Sequence, residues 1–192
     1  MYYQEVGKYM ATAKTGSFYL TETVTVPAAT ASGTTVQGEI DLGAYVNVPT
    51  GQAIAIESVD FIWQVTSAFS GEVEQMVAGN AALCVQLTDL NPGTQLIRGD
   101  DSSLVASGSL NIDQSNNVGT HVSDLFPDNF GPASLSEAFM VVNDTLYLNA
   151  GAFGAAIGGQ NVFCTARIRC RVVKLSQSDW MAIAIQSTAS DN

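Results

Sequence analysis

Charge is what this sequence has least of. Asp, Glu, Lys and Arg make up 13% of its 192 residues, about half the usual share in a soluble domain. Little of the surface can therefore be defended by charge: either other subunits cover much of it, the slightly favoured reading, or Ser, Thr, Asn and Gln do the solvating. Basic residues are scarcer still, 7 against 18 acidic, for a net charge of −11. A free nucleic-acid-binding domain needs a basic patch or stripe for phosphates. With no basic arm at either end, direct nucleic-acid binding is not expected. His121 is the one histidine, which leaves Ser-His-Asp or Cys-His catalysis with a loop residue and no signature around it. Cys84, Cys164 and Cys170 form no Cys-x-x-Cys ligand pair. The last two stand too far apart on one strand to bridge, so the cysteines read as buried free thiols from a reducing cytoplasm. Asp100, Asp101, Asp124 and Asp128 lack the alternating spacing of a calcium loop and read as solvated loop carboxylates. No enzyme activity, metal, cofactor or small-molecule substrate is expected. Apolar runs are far short of a membrane span, and Met1-Tyr-Tyr-Gln-Glu resembles no signal peptide.

What is present is alternation. From Cys164 the even positions read Cys164, Ala166, Ile168, Cys170 and Val172, and the odd ones Thr165, Arg167, Arg169, Arg171 and Val173. Side chains alternate across a strand, so this stretch predicts a long antiparallel strand with one face in a core and an arginine stripe on the other. Phe163 sits out of phase. The apolar face needs a second sheet to cover it.

The rest of the chain supplies one. Met1 to Thr15 reads as an arm or short helix. Phe18, Leu20, Val24 and Val26 share one face of a strand ended by Pro27. Val36, Ile40 and Leu42 continue the alternation through Gly38, a candidate bulge. In Gln52 to Ser67 the apolar phase switches from Ile54 and Ile56 to Val59, Phe61, Trp63 and Val65, which a bulge near Glu57-Ser58 would reconcile. One helical turn fits Gly71 to Gly79. Ala81 to Leu90 is a strand, Asn91-Pro-Gly93 a turn, and Gln95 to Arg98 and Leu104 to Ile112 are short strands. Asp113 to Thr120 reads as a polar loop and His121 to Pro132 as a packed irregular one. Ala138 to Leu148 is strand again, and Ala150 to Gly159 is rich in small residues. Ser176 to Gln186 reads as a helix, with Ser176 or Ser178 as N-cap and Asp179 in its first turn. The tail from Ser187 frays.

Seven to nine strands and almost no helix predict an all-β fold, an antiparallel β-sandwich in one domain. Residues 1–16 form an N-terminal arm, 17–175 the sandwich, and 176–192 a C-terminal helix and tail. An immunoglobulin core is disfavoured, since no Cys-Trp-Cys arrangement exists. A jelly roll with long loops is the better match.

Three features could carry function. The stripe Arg167, Arg169, Arg171 is either a solvated face paired with carboxylates such as Glu22, Glu39 or Asp41, or a seam to a neighbouring subunit or an anionic layer. Trp180, Met181 and Ile183 in the terminal helix are too apolar to leave in water; with the stripe they form a candidate subunit interface. Trp63, Trp180, Tyr45 and Tyr147 could stack on sugars. Arg98-Gly99-Asp100 matches an adhesion tripeptide but serves equally as a turn, and Asn143-Asp-Thr145 is read as an incidental glycosylation match.

A weakly charged, small-residue-rich β chain of this strand pattern, with a C-terminal helix, resembles the single jelly-roll capsid proteins of icosahedral viruses from Ser17 to Leu175. The resemblance implies a structural virion protein that self-assembles into a shell, made in the host cytoplasm and located in the virion. Its partners would be copies of itself and other virion proteins. Lys8 and Lys14 are the only bases before residue 15, unlike the basic arms of genome-packaging relatives. That departure favours a shell lying over an internal membrane or leaving genome contact to other proteins. The alternative is a carbohydrate-binding sandwich, or a surface or adhesion protein.

Overall fold

In a computed structural model, the described residues are 11–65, 73–125 and 138–188. Ten strands and one α-helix form there: β1 (Thr12–Ala13), β2 (Phe18–Val26), β3 (Thr35–Asp41), β4 (Gln52–Val65), β5 (Ala81–Thr88), β6 (Leu104–Asp113), β7 (Val118–Leu125), β8 (Phe139–Val141), β9 (Thr145–Phe153), β10 (Val162–Lys174) and α1 (Gln177–Thr188). They build two antiparallel sheets. In the first, β10 lies between β4 and the strands β1 and β2, with β8 beyond β4; the second runs β3-β9-β5-β6-β7.

The pairings are nested: β2 with β10, β3 with β9, β4 with β8 and β5 with β6. One long antiparallel ribbon is thus folded so that alternate pairs enter opposite sheets, which is a jelly roll. The inner faces meet in one core that includes Val24, Val26, Ile54, Ile56, Leu83, Leu87, Leu146, Leu148, Cys164, Ile168 and Cys170. Every even position from Val162 to Val172 on β10 is buried, as the alternation predicts. Burial pushes the thiols of Cys164 and Cys170 up, the latter to about 12.

The bulge in β4 is where the phase switch placed it. Ser58 stands opposite Arg169 and Ile56 opposite Cys170, so Glu57 is the extra residue and the two apolar phases share one face. Gly38 makes no bulge, since β3 pairs with β9 without interruption. It is there for close approach: a Cβ would stand 2.6 Å from Val24 Cγ1.

Other local expectations are corrected. Asp113 to Thr120 is a β6–β7 hairpin in which Asp113 accepts from Ser115 N and Asn116 Nδ2 and Asn117 takes φ 54°. Asn tolerates that left-handed backbone better than most residues. The expected strand from Ala138 is broken at Val142–Asp144, its halves going to different sheets. Gln95 to Arg98 is not a strand. A cross-strand row of amides, Gln37, Asn149 and Gln86, holds the long loop between β5 and β6 over the second sheet. Gln86 bonds Ile97 N and O, Asn149 bonds Gln95 O, and Gln37 bonds Asn91 Oδ1 and Gly93 O. Polar side chains at alternate strand positions read as a solvent face, and the loop that covers them carries no periodicity of its own. A 3-10 turn occupies Val73–Met76, within the stretch expected to hold a helical turn. His121 to Leu125, expected to open an irregular loop, instead continue β7, and Thr12–Ala13 of the expected arm pair with β10. Residues 1–10 of the arm, 126–132 of the loop and 189–192 of the tail lie outside the described residues.

Helix α1 docks on its own sandwich. Ser176 caps it, accepting from Asp179 N at 3.1 Å and donating to Asp179 Oδ2 at 2.7 Å. Its inward residues Trp180, Ile183 and Ala184 join a second apolar cluster with Ala53, Ala55, Met140, Val142, Val173 and Leu175 on the outer face of the first sheet. The small side chains of β4 leave room for the helix. Truncation after Leu175 should uncover that cluster and lower the melting temperature. Ile183→Ala alone should cost about 2–4 kcal/mol, read by denaturant unfolding.

Candidate functional site

The arginine stripe lies on the outer face of the first sheet, on β10 between its other two long strands, β2 and β4. Arg169 Nε donates to Glu57 Oε2 at 2.7 Å. Arg171 donates to Glu57 Oε1, and Arg171 Nη2 to Ser17 Oγ at 3.1 Å. Ser17 Oγ in turn donates to Glu57 Oε2 at 2.9 Å. Alternation from the inward Ile54 and Ile56 puts Glu57 on the outer face, and the bulge leaves it between the positions that face Arg171 and Arg169. Its side chain is 4% exposed, beneath guanidinium-bearing side chains that are 42% and 29% exposed. Burial pushes the Glu57 carboxyl up, but hydrogen bonds from Arg169, Ser17 and Arg171 outweigh it and hold the group below its ordinary value. Arg167 is exposed and stacks over the Tyr19 ring, 4.9 Å from its centroid, a cation–π contact. Asp60 stands opposite it on β4.

The expected carboxylate partners are elsewhere. Glu39 and Asp41 are on β3 of the other sheet, and Glu22 stands opposite Ala166 on the apolar phase of β10. Glu57 was legible only as an acidic residue in an apolar run; its role depends on β4 lying beside β10. Two arginines share one carboxylate, so the cluster keeps a net positive charge.

The terminal-helix residues divide. Ile183 is buried and Trp180 half-buried against the chain's own sheet, whereas Met181 is 53% exposed and Ile185 60%. The four candidate sugar-stacking aromatics do not gather. Trp63 packs against the core, Tyr45 meets Phe18 with ring centroids 5.3 Å apart, Trp180 is on α1 and Tyr147 on β9. Arg98 pairs with Asp100 at 3.4 Å in an exposed turn. Asn143 Nδ2 donates to the backbone oxygen of Asp89 at 2.9 Å. The side chains of His121 and Asp124, and all of Asp128, lie outside the described residues.

Asp89 is a second charged centre, at the start of the loop that crosses the second sheet. It is 2% exposed, and its Oδ1 has no hydrogen-bond partner. Burial pushes its carboxyl up to about 7; the Asp101 charge adds to this, while its own backbone and Asn143 oppose it.

Two substitutions probe these centres. Glu57→Gln should destabilise by about 1–3 kcal/mol, because Arg169, Arg171 and Ser17 lose a buried, charged acceptor. The stabilisation it removes is present above the ordinary value of 4.5 and fades as pH falls through the lower folded value, so the difference from wild type should close in acid. Asp89→Asn should do the opposite. The folded protein keeps the Asp89 proton up to about pH 7, while an ordinary carboxyl releases it near 3.8, so wild type loses stability as pH rises through that window. The variant should unfold at higher denaturant than wild type at pH 8 and gain nothing in strong acid.

No protein-family model and no curated protein matches the chain. Among solved structures it is similar to the VP1 of KI polyomavirus, an unassembled pentamer, at 12% identity and a TM-score of 0.40, over 90% of this chain and 100% of that one. It is similar to Merkel cell polyomavirus VP1, also an unassembled pentamer, at 11% identity and 0.41, over 88% and 100%. A third is Desmodium yellow mottle tymovirus, at 7% identity and 0.32, over 92% and 94%. The fold assignment rests on the strand pairing described above.

Proposed function

We propose that this chain is a capsid protein, a structural subunit that assembles with copies of itself, and with other virion proteins, into a viral shell. The observation that carries the reading is a jelly-roll scaffold whose helix covers one apolar cluster yet turns Met181 and Ile185 outward. A surface with so little charge gains by burying such residues against a neighbour. On this reading the outer face of the first sheet is a subunit interface, with Arg167, Arg169, Arg171, Trp180 and Met181 at its surface and Ile183 supporting the helix from beneath. Arginine suits that position because its planar fork keeps spare donors after pairing with Glu57. Such contacts fix register and orientation more than affinity. Contact with a genome falls to other virion proteins, or is replaced by contact with a membrane beneath the shell. Synthesis is in the host cytoplasm and the final location is the virion.

Obligate interfaces bury about 2,000 Å² or more in total. Purified protein should therefore run as capsomers or larger bodies by light scattering, with rings or shells in negative stain. A clean monomer at high concentration and moderate salt would overturn the proposal, and binding to a glycan array would then favour the carbohydrate-binding alternative.

A further inference from the structure

Charge is distributed unevenly over this sandwich. Of the six described basic residues, all but Arg98 (Lys14, Arg167, Arg169, Arg171 and Lys174) belong to β10 or to the arm segment paired with it. The basic surface ends at a groove of 690 Å³ lined by Lys14, Val48, Pro49, Lys174, Trp180 and Met181, among others. Lys14 is held by the neutral Gln52 Oε1 at 3.1 Å. Among the described residues, neither lysine has a carboxylate within ion-pair distance. Val48 and Met181 are more than half exposed, at 58% and 53%, and the buried Trp180 Nε1 has no acceptor. The groove's shape is fixed by Gly51, whose φ of 68° and contact with Leu175 O exclude a side chain.

The complementary surface is on the other sheet. Glu39 and Asp41 are exposed two positions apart on β3, an edge strand. Exposed Asp144 joins them, its carbonyl accepting from Leu42 N at 2.7 Å. Half-buried Tyr147, opposite Glu39, gives this acidic edge an apolar body. Among the described residues, no cation pairs with any of the three carboxylates.

We propose that the groove takes the acidic edge of a second copy of this chain, with Glu39 and Asp41 seated against Lys14 and Lys174, and Tyr147 against Val48 and Met181. The inference deepens the shell-subunit reading and rests on it. It commits to a second copy because the edge offers carboxylates, an aromatic ring and the unpaired backbone of an edge strand, matching the lysines and apolar wall of the groove.

The test uses two doubly charge-reversed variants of the full chain, Lys14→Glu with Lys174→Glu, and Glu39→Lys with Asp41→Lys. Each alone sets like charges against one another across the contact and should raise the dissociation constant more than about tenfold, by light scattering or sedimentation. An equimolar mixture pairs an acidic groove with a basic edge, and should restore association. Either variant assembling like wild type would overturn the proposal, as would a mixture that stays dissociated. Melting curves check that each variant is folded. Should a reversed pair melt early, Lys14→Gln with Lys174→Gln replaces it; its assembly should lose salt dependence, and an unchanged salt dependence would refute the contact. A wild type that never associates would instead remove the shell-subunit reading itself.

Discussion

The extra residue in β4 is the constraint on which the outer face of the first sheet depends. Without it, a strand of strict two-residue period could not bury Ile54 and Ile56 together with Val59, Phe61 and Val65. The bulge reconciles the two halves and leaves the outward-facing Glu57 between the positions opposite Arg171 and Arg169 on β10. There it meets Arg169, Arg171 and Ser17. A buried carboxylate without partners would be costly; with three donors it is held ionised, and it ties the β1–β2 link to the centre of the sheet.

That arrangement divides the face in two. Towards one end of β10, Val173 and Leu175 join Ala53 and Ala55 in a floor small enough for α1 to settle on. Towards the other, guanidinium groups stay half-solvated above one shared carboxylate. The helix closes most of its apolar surface and leaves Met181 and Ile185 outside, beside a groove with two lysines. The second sheet is finished differently. A loop crosses it, fastened by the amides of Gln37, Asn149 and Gln86, and the free edge at β3 is acidic. The two outer faces therefore differ in both polarity and charge.

Much of the scaffold was legible in the sequence because burial imposes a two-residue period wherever one strand face meets a core. The phase switch inside β4 even located the bulge. The terminal helix was legible from its cap and from apolar residues too numerous to leave in water. What could not be read was anything set by pairing across the sandwich. Glu57 is the partner of the arginines only because β4 neighbours β10. Asp113 to Thr120 closes a hairpin, although its polar residues look like open loop. Gln95 to Arg98 is held by side-chain amides and not by a strand ladder, and no local pattern announces that. The groove is assembled from the arm, the β3–β4 turn and the helix, segments far apart in sequence.

Amide hydrogen exchange, followed from dilute to concentrated protein, tests most directly the claim that this sandwich is completed by another copy. The account predicts that protection rises with concentration in the β3–β4 turn, along β3, and from Lys174 through the first turns of α1, with the buried strands unchanged. Exchange that is independent of concentration in all three segments would contradict it.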